Sequence, residues 1–453
     1  MQRTAAFLAA LAVASVARAD DPPASAGKVI GWWTSFGSAS LSALVERALA
    51  ANLGLEERRL RLREARLDPA VPRSLLWPAH LDIEGSLSRF REQFASEDQN
   101  VSGTFALADL VAAATYDLDL AGRRAALRGA ADQREAALRE SGEAFTLALT
   151  AEVAATWFAL VETRSQLELL RRQIANGSSL ENLVQARVDS QLASRLDLLQ
   201  QRVQVAETRA LVPQVEGRQR HLENRLTALL GEDQARGDLP TDTALPALPR
   251  RPVIDAASLI ARRPDVKEAQ AKVAEVEQRA RAQVATWVPT LQLFARGGLR
   301  TYQPVEFLHS NIWGAGIWGF GAQMSWPLFD GGQRGIEVSR LETEAQRLRI
   351  QSARVMREAA REIDDAVVAE EKTSAFAGEL QAEMATARSA LEEATARYQR
   401  GLGDYTTVVT AVRIVANVER ARLAAQGQLL GARVRLHEVL AGNWTPQAIT
   451  GGQ

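Results

Sequence analysis

The chain carries one long pattern twice, so any fold for it must build the same unit two times. The turn glycines Gly122 and Gly332 stand 210 residues apart, as do the turns near Gln191 and Gly401. Pro78 and Pro289 head similar strand starts 211 residues apart, and Leu229, Leu230, Gly231 is answered by Val439, Leu440, Ala441, Gly442 within one residue of the same offset. These anchors define an N-terminal repeat over residues 20–231 and a C-terminal repeat over 255–442. Between them, residues 232–254 carry Pro240, Pro246, Pro249 and Pro252 and read as a linker; 443–453 reads as a flexible tail.

Within each repeat the hydrophobic period switches between two and the helical value. In the second copy, Phe320, Ala322, Met324, Trp326 and Leu328 occupy alternate positions of 319–329, which gives a strand with one apolar face. Leu291, Leu293, Ala295 and Leu299 alternate with Gln292, Arg296 and Arg300 over 290–300. The first copy shows the same at 81–90, where Leu81, Ile83 and Leu87 alternate with Asp82, Glu84 and Ser88, and at 103–120, where Ala112, Ala114, Tyr116 and Leu118 alternate with Thr115 and Asp117. Residues 91–102 and 301–311 read as polar loops. Strands of about ten residues suffice to cross a bilayer at a tilt. Two soluble hairpins packed on helices would also fit, but nine aromatic residues fall between Trp287 and Phe329. Clustering at strand ends suits an interfacial belt, for which Tyr116, Trp287, Trp313, Trp318, Trp326 and Phe329 are the candidates.

After each strand pair the chain becomes helical. From Gly332 to Arg400 there is no proline, which allows a helix roughly 100 Å long at about 1.5 Å per residue. Leu341, Ala345, Leu348, Ser352, Val355 and Ala359 step by fours and threes, a seam for close helix packing. The shorter helical stretches are 41–77, 196–230, 254–288 and 407–440, and two of them end to end match one long element. The expected body is a cylinder of staves with strands at one end and two hairpin tips at the other. Residues 144–161 are apolar enough to suggest a membrane helix, but the equivalent stretch 210 residues later contains Arg357, Glu358, Arg361, Glu362, Asp364 and Asp365, so both copies are expected outside lipid. Asn176, Gly177, Ser178 and Ser179 could break the first long helix, an expectation the second copy does not share.

Composition narrows the chemistry. There is no cysteine, and His80, His221, His309 and His437 are scattered, which excludes thiolate chemistry and makes a metal cluster improbable; no cofactor or metal ligand set is expected. A net charge of −1 argues against nucleic acid as a partner. No nucleophile stands near a suitable histidine and acid, so catalytic residues are not assigned. Gly314, Gly316 and Gly319 match a dinucleotide fingerprint, but they lead into a strand instead of opening a helix. Met1, Gln2 and Arg3 before an apolar run and Ala17, Arg18, Ala19 describe a signal peptide over 1–19, and without a cysteine behind it no lipid anchor is expected. Trp32 and Trp33 are expected to pack the start of the mature chain onto the body.

The residues Trp32 to Gly37, Ala261 to Val266, Trp326 to Gly332 and Tyr398 to Tyr405 together resemble the TolC-like outer-membrane factors of bacterial efflux pumps, near the NodT-type branch, and the resemblance covers nearly all of the chain. It implies a mixed fold, a long α-helical barrel of coiled-coil hairpins below a transmembrane β-barrel to which each protomer of a homotrimer gives four strands. It also implies a passive conduit in the outer membrane with a periplasmic extension, whose tips meet a periplasmic adaptor and an inner-membrane pump. Two departures stand out: the lipidated cysteine of many such proteins is missing, and Val408, Val409, Thr410 stand where an acidic residue commonly follows the apolar pair. Asp197, Asp404 and Thr410 are the aperture candidates, since rings of carboxylates select cations, although aspartate at these places would also cap the returning helices. Leu192, Ala193, Ser194, Gly401, Leu402 and Gly403 are the adaptor-contact candidates. A protein-secretion channel of the same type and a periplasmic coiled-coil scaffold without a pore are the alternative readings.

Overall fold

A computed structural model describes residues 31–67, 79–96, 99–232, 239–251, 256–301 and 316–440. The expected signal peptide, the tail, Trp313 and Gly314 lie outside them. The elements in order are α1 (Ala39–Ala51), α2 (Leu53–Arg66), β1 (Ala79–Ser96), β2 (Gln99–Leu118), α3 (Arg123–Asp189) and α4 (Arg195–Leu229), then α5 (Ala256–Arg262), α6 (Pro264–Val284), β3 (Thr290–Thr301), β4 (Gly316–Ser325), α7 (Gln333–Gln399) and α8 (Tyr405–Val439). The second half repeats the first element for element. Both long helices have 67 residues and both returning helices 35.

Each long helix begins behind a glycine in the left-handed region, Gly122 at φ 69° and Gly332 at φ 86°. Glycine bears no side chain to cap the free amides, and a nearby aspartate does so instead. Asp119 Oδ2 accepts from the amides of Arg124 and Ala125, both at 3.1 Å. Asp330 Oδ2 accepts from the Arg334 amide at 3.0 Å and its Nε at 2.7 Å, while Arg334 Nη1 donates to the Thr286 carbonyl at 3.1 Å. The Arg334 hydrogen bonds hold the Asp330 carboxyl below its ordinary range.

The expected single helices at 41–77 and 254–288 are each broken. Asn52 and Arg263 take extended backbone and restart the helix behind them; Arg263 precedes Pro264, whose ring disfavours helical backbone in the residue before it. Both breaks are joints. Asn52 Nδ2 donates to the Leu229 carbonyl at the end of α4 at 2.9 Å, and its Oδ1 accepts from the Leu55 amide at 3.1 Å at the start of α2. In the second copy Arg263 Nη1 donates to the Val439 carbonyl at the end of α8 at 3.3 Å, and the guanidinium pairs with Asp265 at 2.7 Å and Glu362 at 2.8 Å. Short helices are thereby laid end to end beside the long ones.

No break occurs at Asn176 to Ser179. Gly177 instead brings α3 close to α4: a Cβ there would sit 2.9 Å from Val205 Cγ2, and the Gly177 carbonyl accepts from Gln201 Nε2 at 2.8 Å. The apolar run of α3 that passes for a membrane helix by composition is core. Trp157, Phe158, Leu160 and Val161 are buried against a 3-10 turn at Trp32–Phe36, against α1 and against Leu430 and Val434 of α8. Trp32 lies parallel to His437 at 5.4 Å, as expected of a residue that fixes the start of the body. The seam on α7 is also present, with Leu341 and Ala345 buried against Val276 of α6 and Leu348 beside them.

Residues 239–251 contain no helix or strand and run across the body as a strap. Arg164 donates to the Pro240 carbonyl, Ser165 to that of Thr243 and Arg433 to that of Pro249. Leu239 and Leu245 pack on the central core.

Candidate transport surface

The four strands form one antiparallel sheet in the order β1-β2-β3-β4, so strands from both repeats meet at β2 and β3. Its register decides which residues share a face. Leu81 opposes Ala114, Ala114 opposes Ala295 and Ala295 opposes Phe320; Ile83, Ala112, Gly297 and Trp318 make the next such row. The full face comprises Leu81, Ile83, Gly85 and Leu87 of β1, alternate residues from Ala106 to Leu118 of β2, Leu291 to Leu299 of β3, and Gly316 to Met324 of β4. It has no charged side chain until Arg89. Nine residues from Leu81 to Arg89 at about 3.3 Å, tilted about 40°, give an apolar band about 23 Å high, close to the roughly 25 Å of a barrel's lipid-facing belt.

The opposite face is wet. Asp82, Glu84, Ser86 and Ser88 of β1 share it with Asp109 and Asp117 of β2, Gln292, Arg296 and Arg300 of β3, and Gln323 of β4. Arg300 Nε meets Asp109 Oδ1 at 2.6 Å, Ser86 donates to Asp109 at 3.3 Å, and Gln292 donates to Asp117 at 2.9 Å. Polar side chains thus bond to one another along one side while the other offers hydrocarbon only.

The first hairpin is longer than expected. β1 and β2 have 18 and 20 residues and run through the stretch assigned to a polar loop at 91–102. β3 has 12 residues and β4 ten, close to the expected length, but β4 occupies 316–325 instead of 319–329. Trp326 and Phe329 therefore follow the strand. Trp326 Nε1 donates to the Trp287 carbonyl at 3.2 Å, and the Arg334 guanidinium stands 4.9 Å from the Trp287 ring. Trp287, Trp326, Leu328 and Phe329 are all exposed at this junction of sheet and helices. Trp318 and Phe320 stack on the apolar face with ring centroids 6.2 Å apart, and Tyr116 shares that face. Trp313 lies outside the described residues.

At the other end, both hairpins turn through a left-handed residue, Gln191 at φ 63° and Gly401 at φ 74°. The Leu192 amide donates to the Arg187 carbonyl at 2.7 Å and the Leu402 amide to that of Arg397 at 2.9 Å, closing each helix end and leaving both leucines exposed. Ala193 is half-buried and Gly403 is exposed, where a Cβ would sit 3.2 Å from Arg397 Cβ. Ser194 caps α4 reciprocally with Asp197: the Asp197 amide donates to Ser194 Oγ at 3.2 Å and the Ser194 amide to Asp197 Oδ2 at 3.1 Å. Asp404 caps α8 through the Thr406 amide at 3.2 Å, and the exposed Thr410 hydroxyl donates to the Thr406 carbonyl at 2.8 Å. By the 210-residue offset, Ser194 and not Asp197 is the counterpart of Asp404.

Sequence reading did not single out what ties the tips together. Tyr405 is buried between the hairpins, its hydroxyl donating to Gln201 Oε1 at 3.1 Å, and burial raises its pKa. Tyr398 packs 5.2 Å from it and lies under the Arg187 guanidinium. The available signal was an aromatic residue directly behind a helix-capping aspartate, where the first copy has Arg195.

Comparison with known proteins bears on this geometry. The sequence model of the family described as Outer membrane efflux protein matches residues 44–232 and 256–442. A pyoverdine export outer membrane protein, OpmQ of Pseudomonas putida, is 25% identical over 434 residues, covering 92% of this chain and 89% of that protein. The toluene efflux pump outer membrane protein TtgF of Pseudomonas putida is 25% identical over 441 residues, covering 92% and 86%. Among solved structures, the outer-membrane channel OprN superposes with a TM-score of 0.82 at 23% identity, covering 92% of this chain and 93% of that one.

Proposed function

Because this chain belongs to the outer membrane efflux protein family, we propose that it is the outer-membrane channel of a tripartite efflux system, a passive conduit assembled from three identical copies. The observation that carries the reading is the two-faced sheet continuous across both repeats. Within one copy the outer edges of β1 and β4 have no strand partner among the described residues. An unpaired backbone group in hydrocarbon costs several kcal/mol, so such edges must be paired in a membrane. β1 and β4 run in opposite directions, hence β4 of one copy can continue the antiparallel order onto β1 of the next. Three copies of four strands close a barrel with hydrocarbon outside and the Asp109, Arg296 and Arg300 face around the pore.

Below the membrane the same closure arranges the paired helices as a tube, with both tips of each copy converging at its end. Asp404 is the leading aperture residue; Asp197, engaged with Ser194, and Thr410 are secondary. Leu192, Leu402 and the small residues Ala193, Ser194, Gly401 and Gly403 offer surface for a periplasmic adaptor linked to an inner-membrane pump, which supplies the energy. Relatives named for toluene efflux and pyoverdine export support a small-molecule cargo. No residue is assigned a catalytic part. The test is single-channel recording of the purified protein in planar bilayers: a stable conductance is expected, with raised conductance or weakened cation preference in Asp404→Ala. A soluble single copy that passes no current would support the scaffold instead.

A further inference from the structure

Between the two helical hairpins, above the Tyr405 contact, lies a cavity of about 240 Å3 bounded by α3, α4, α7 and α8. Most of its wall is hydrocarbon, from Leu180, Val205, Leu391 and Val412. The polar groups around it are committed to one another. Gln201 is held by the Gly177 carbonyl and by Tyr405, and Gln173 donates to Glu419 at 3.0 Å and accepts from Arg420 at 2.7 Å. Asn176, at the exposed rim, and Gln204 are the exceptions; Gln204 is the buried one. Its side chain lines the cavity and is nine-tenths buried, yet its amide makes no hydrogen bond to any described residue. Its amide atoms are not sealed from solvent, so a hydroxyl or amide of an occupant can take the place of water on them.

We propose that this cavity is a binding site for a small neutral molecule with an apolar body of about ten non-hydrogen atoms and one hydroxyl or amide group, which lies against Leu180, Val205 and Val412 and hydrogen-bonds to Gln204. The size follows from the volume, which lies just under the usual range for ligand pockets. Neutrality follows from the wall, since Glu419 already has partners and no free charge faces the space. Because α3 and α4 come from one hairpin and α7 and α8 from the other, an occupant bridges the two and stabilises their packed arrangement. The proposal rests on the cavity alone and holds whether or not the pore reading does.

Benzyl alcohol has the required shape and a single hydroxyl; toluene lacks the hydroxyl. Ligand-observed NMR titrations on the whole protein, held in a detergent-free amphipathic polymer, are expected to show saturable binding of benzyl alcohol. Gln204→Leu should weaken it about fivefold, one neutral hydrogen bond's worth, and leave toluene unaffected. Leu180→Trp fills the space from α3 and should abolish binding of both probes, as should Val412→Phe from the other hairpin, with the helical circular dichroism of each variant confirming that it folds. Wild-type protein without saturable binding, or filled variants that bind as well as wild type, would overturn the site. Equal weakening of both probes by Gln204→Leu would overturn the role of its amide.

Discussion

The two repeats share a backbone plan and part company at mid-height. In the first, α3 presents Trp157, Phe158, Leu160 and Val161 to the rings of Trp32 and Phe36 and to α1. At the position equivalent to Leu160 the plan is the same but the chemistry is not: 210 residues after it stands Glu370, buried and paired with Arg433 and Arg251. The segment that enters each repeat differs in the same sense. The first enters through an aromatic turn that buries its rings, the second through the proline strap, whose carbonyls are bonded by Arg164, Ser165 and Arg433. At this level one copy buries aromatic and aliphatic side chains while the other buries an ion pair.

That contrast can be broken most strongly on the aromatic side. Trp157→Ala removes a ring that is 1% exposed and should cost about 3–5 kcal/mol, whereas Val367→Ala at the equivalent place in α7 should cost about 1 kcal/mol. Denaturant midpoints of the helical signal measure both; equal shifts would erase the distinction. On the charged side, Arg433→Met leaves Glu370 buried with only the half-exposed Arg251 and should cost about 3 kcal/mol. The double substitution Arg433→Met with Glu370→Leu should recover most of that loss, because the pair itself contributes little beyond its mutual neutralisation. A double variant as unstable as the single one would mean that charge is essential here in its own right.

His437 connects the two sides, lying against Trp32 and Phe36 one turn from Arg433. Burial, reinforced by Arg433, pushes its imidazole down to about 4. In the unfolded chain it titrates near 6.5, so between those values the unfolded state binds a proton that the folded state does not. Stability is therefore full above about pH 6.5 and falls as pH drops toward 4, by at most about 3 kcal/mol from this group. His437→Leu should flatten that part of the profile in thermal melts across the window. The smallest effects belong to the tips. Gly401→Ala should cost about 1 kcal/mol because it puts a side chain at φ 74°, and Gln191→Gly should have the opposite sign and a similar or smaller size.

Much of this was legible beforehand, for identifiable reasons. Turn glycines and prolines punctuate both copies, so the duplication could be read from spacing alone, and the strands inside the apolar band declare themselves because only one side of them meets lipid. Beyond Leu87 and Ala106 the alternation vanishes from the sequence, and the outer half of the β1-β2 hairpin reads as loop although its pairing continues to Ser96 and Gln99. The joints at Asn52 and Arg263 were hidden because the helical period resumes behind each of them. At Gly177 the error ran the other way, since a glycine that looks like a breaker serves close approach. Tyr405 and Gln201 stand 204 residues apart, and no local pattern announces a contact of that range.

The central claim is that one side of the sheet faces water and the other faces hydrocarbon, and the absence of native cysteine makes it open to direct measurement. Single substitutions Glu84→Cys and Arg296→Cys on the polar side, and Ile83→Cys and Ala295→Cys on the apolar side, would be exposed in membranes to a charged, membrane-impermeant thiol reagent and, separately, to a lipophilic one. The polar-side pair should react with the charged reagent and lose conductance as it does, while the apolar-side pair should react only with the lipophilic one. Equal labelling of neighbouring positions 83 and 84 by the charged reagent would contradict the two-faced sheet and the pore built on it.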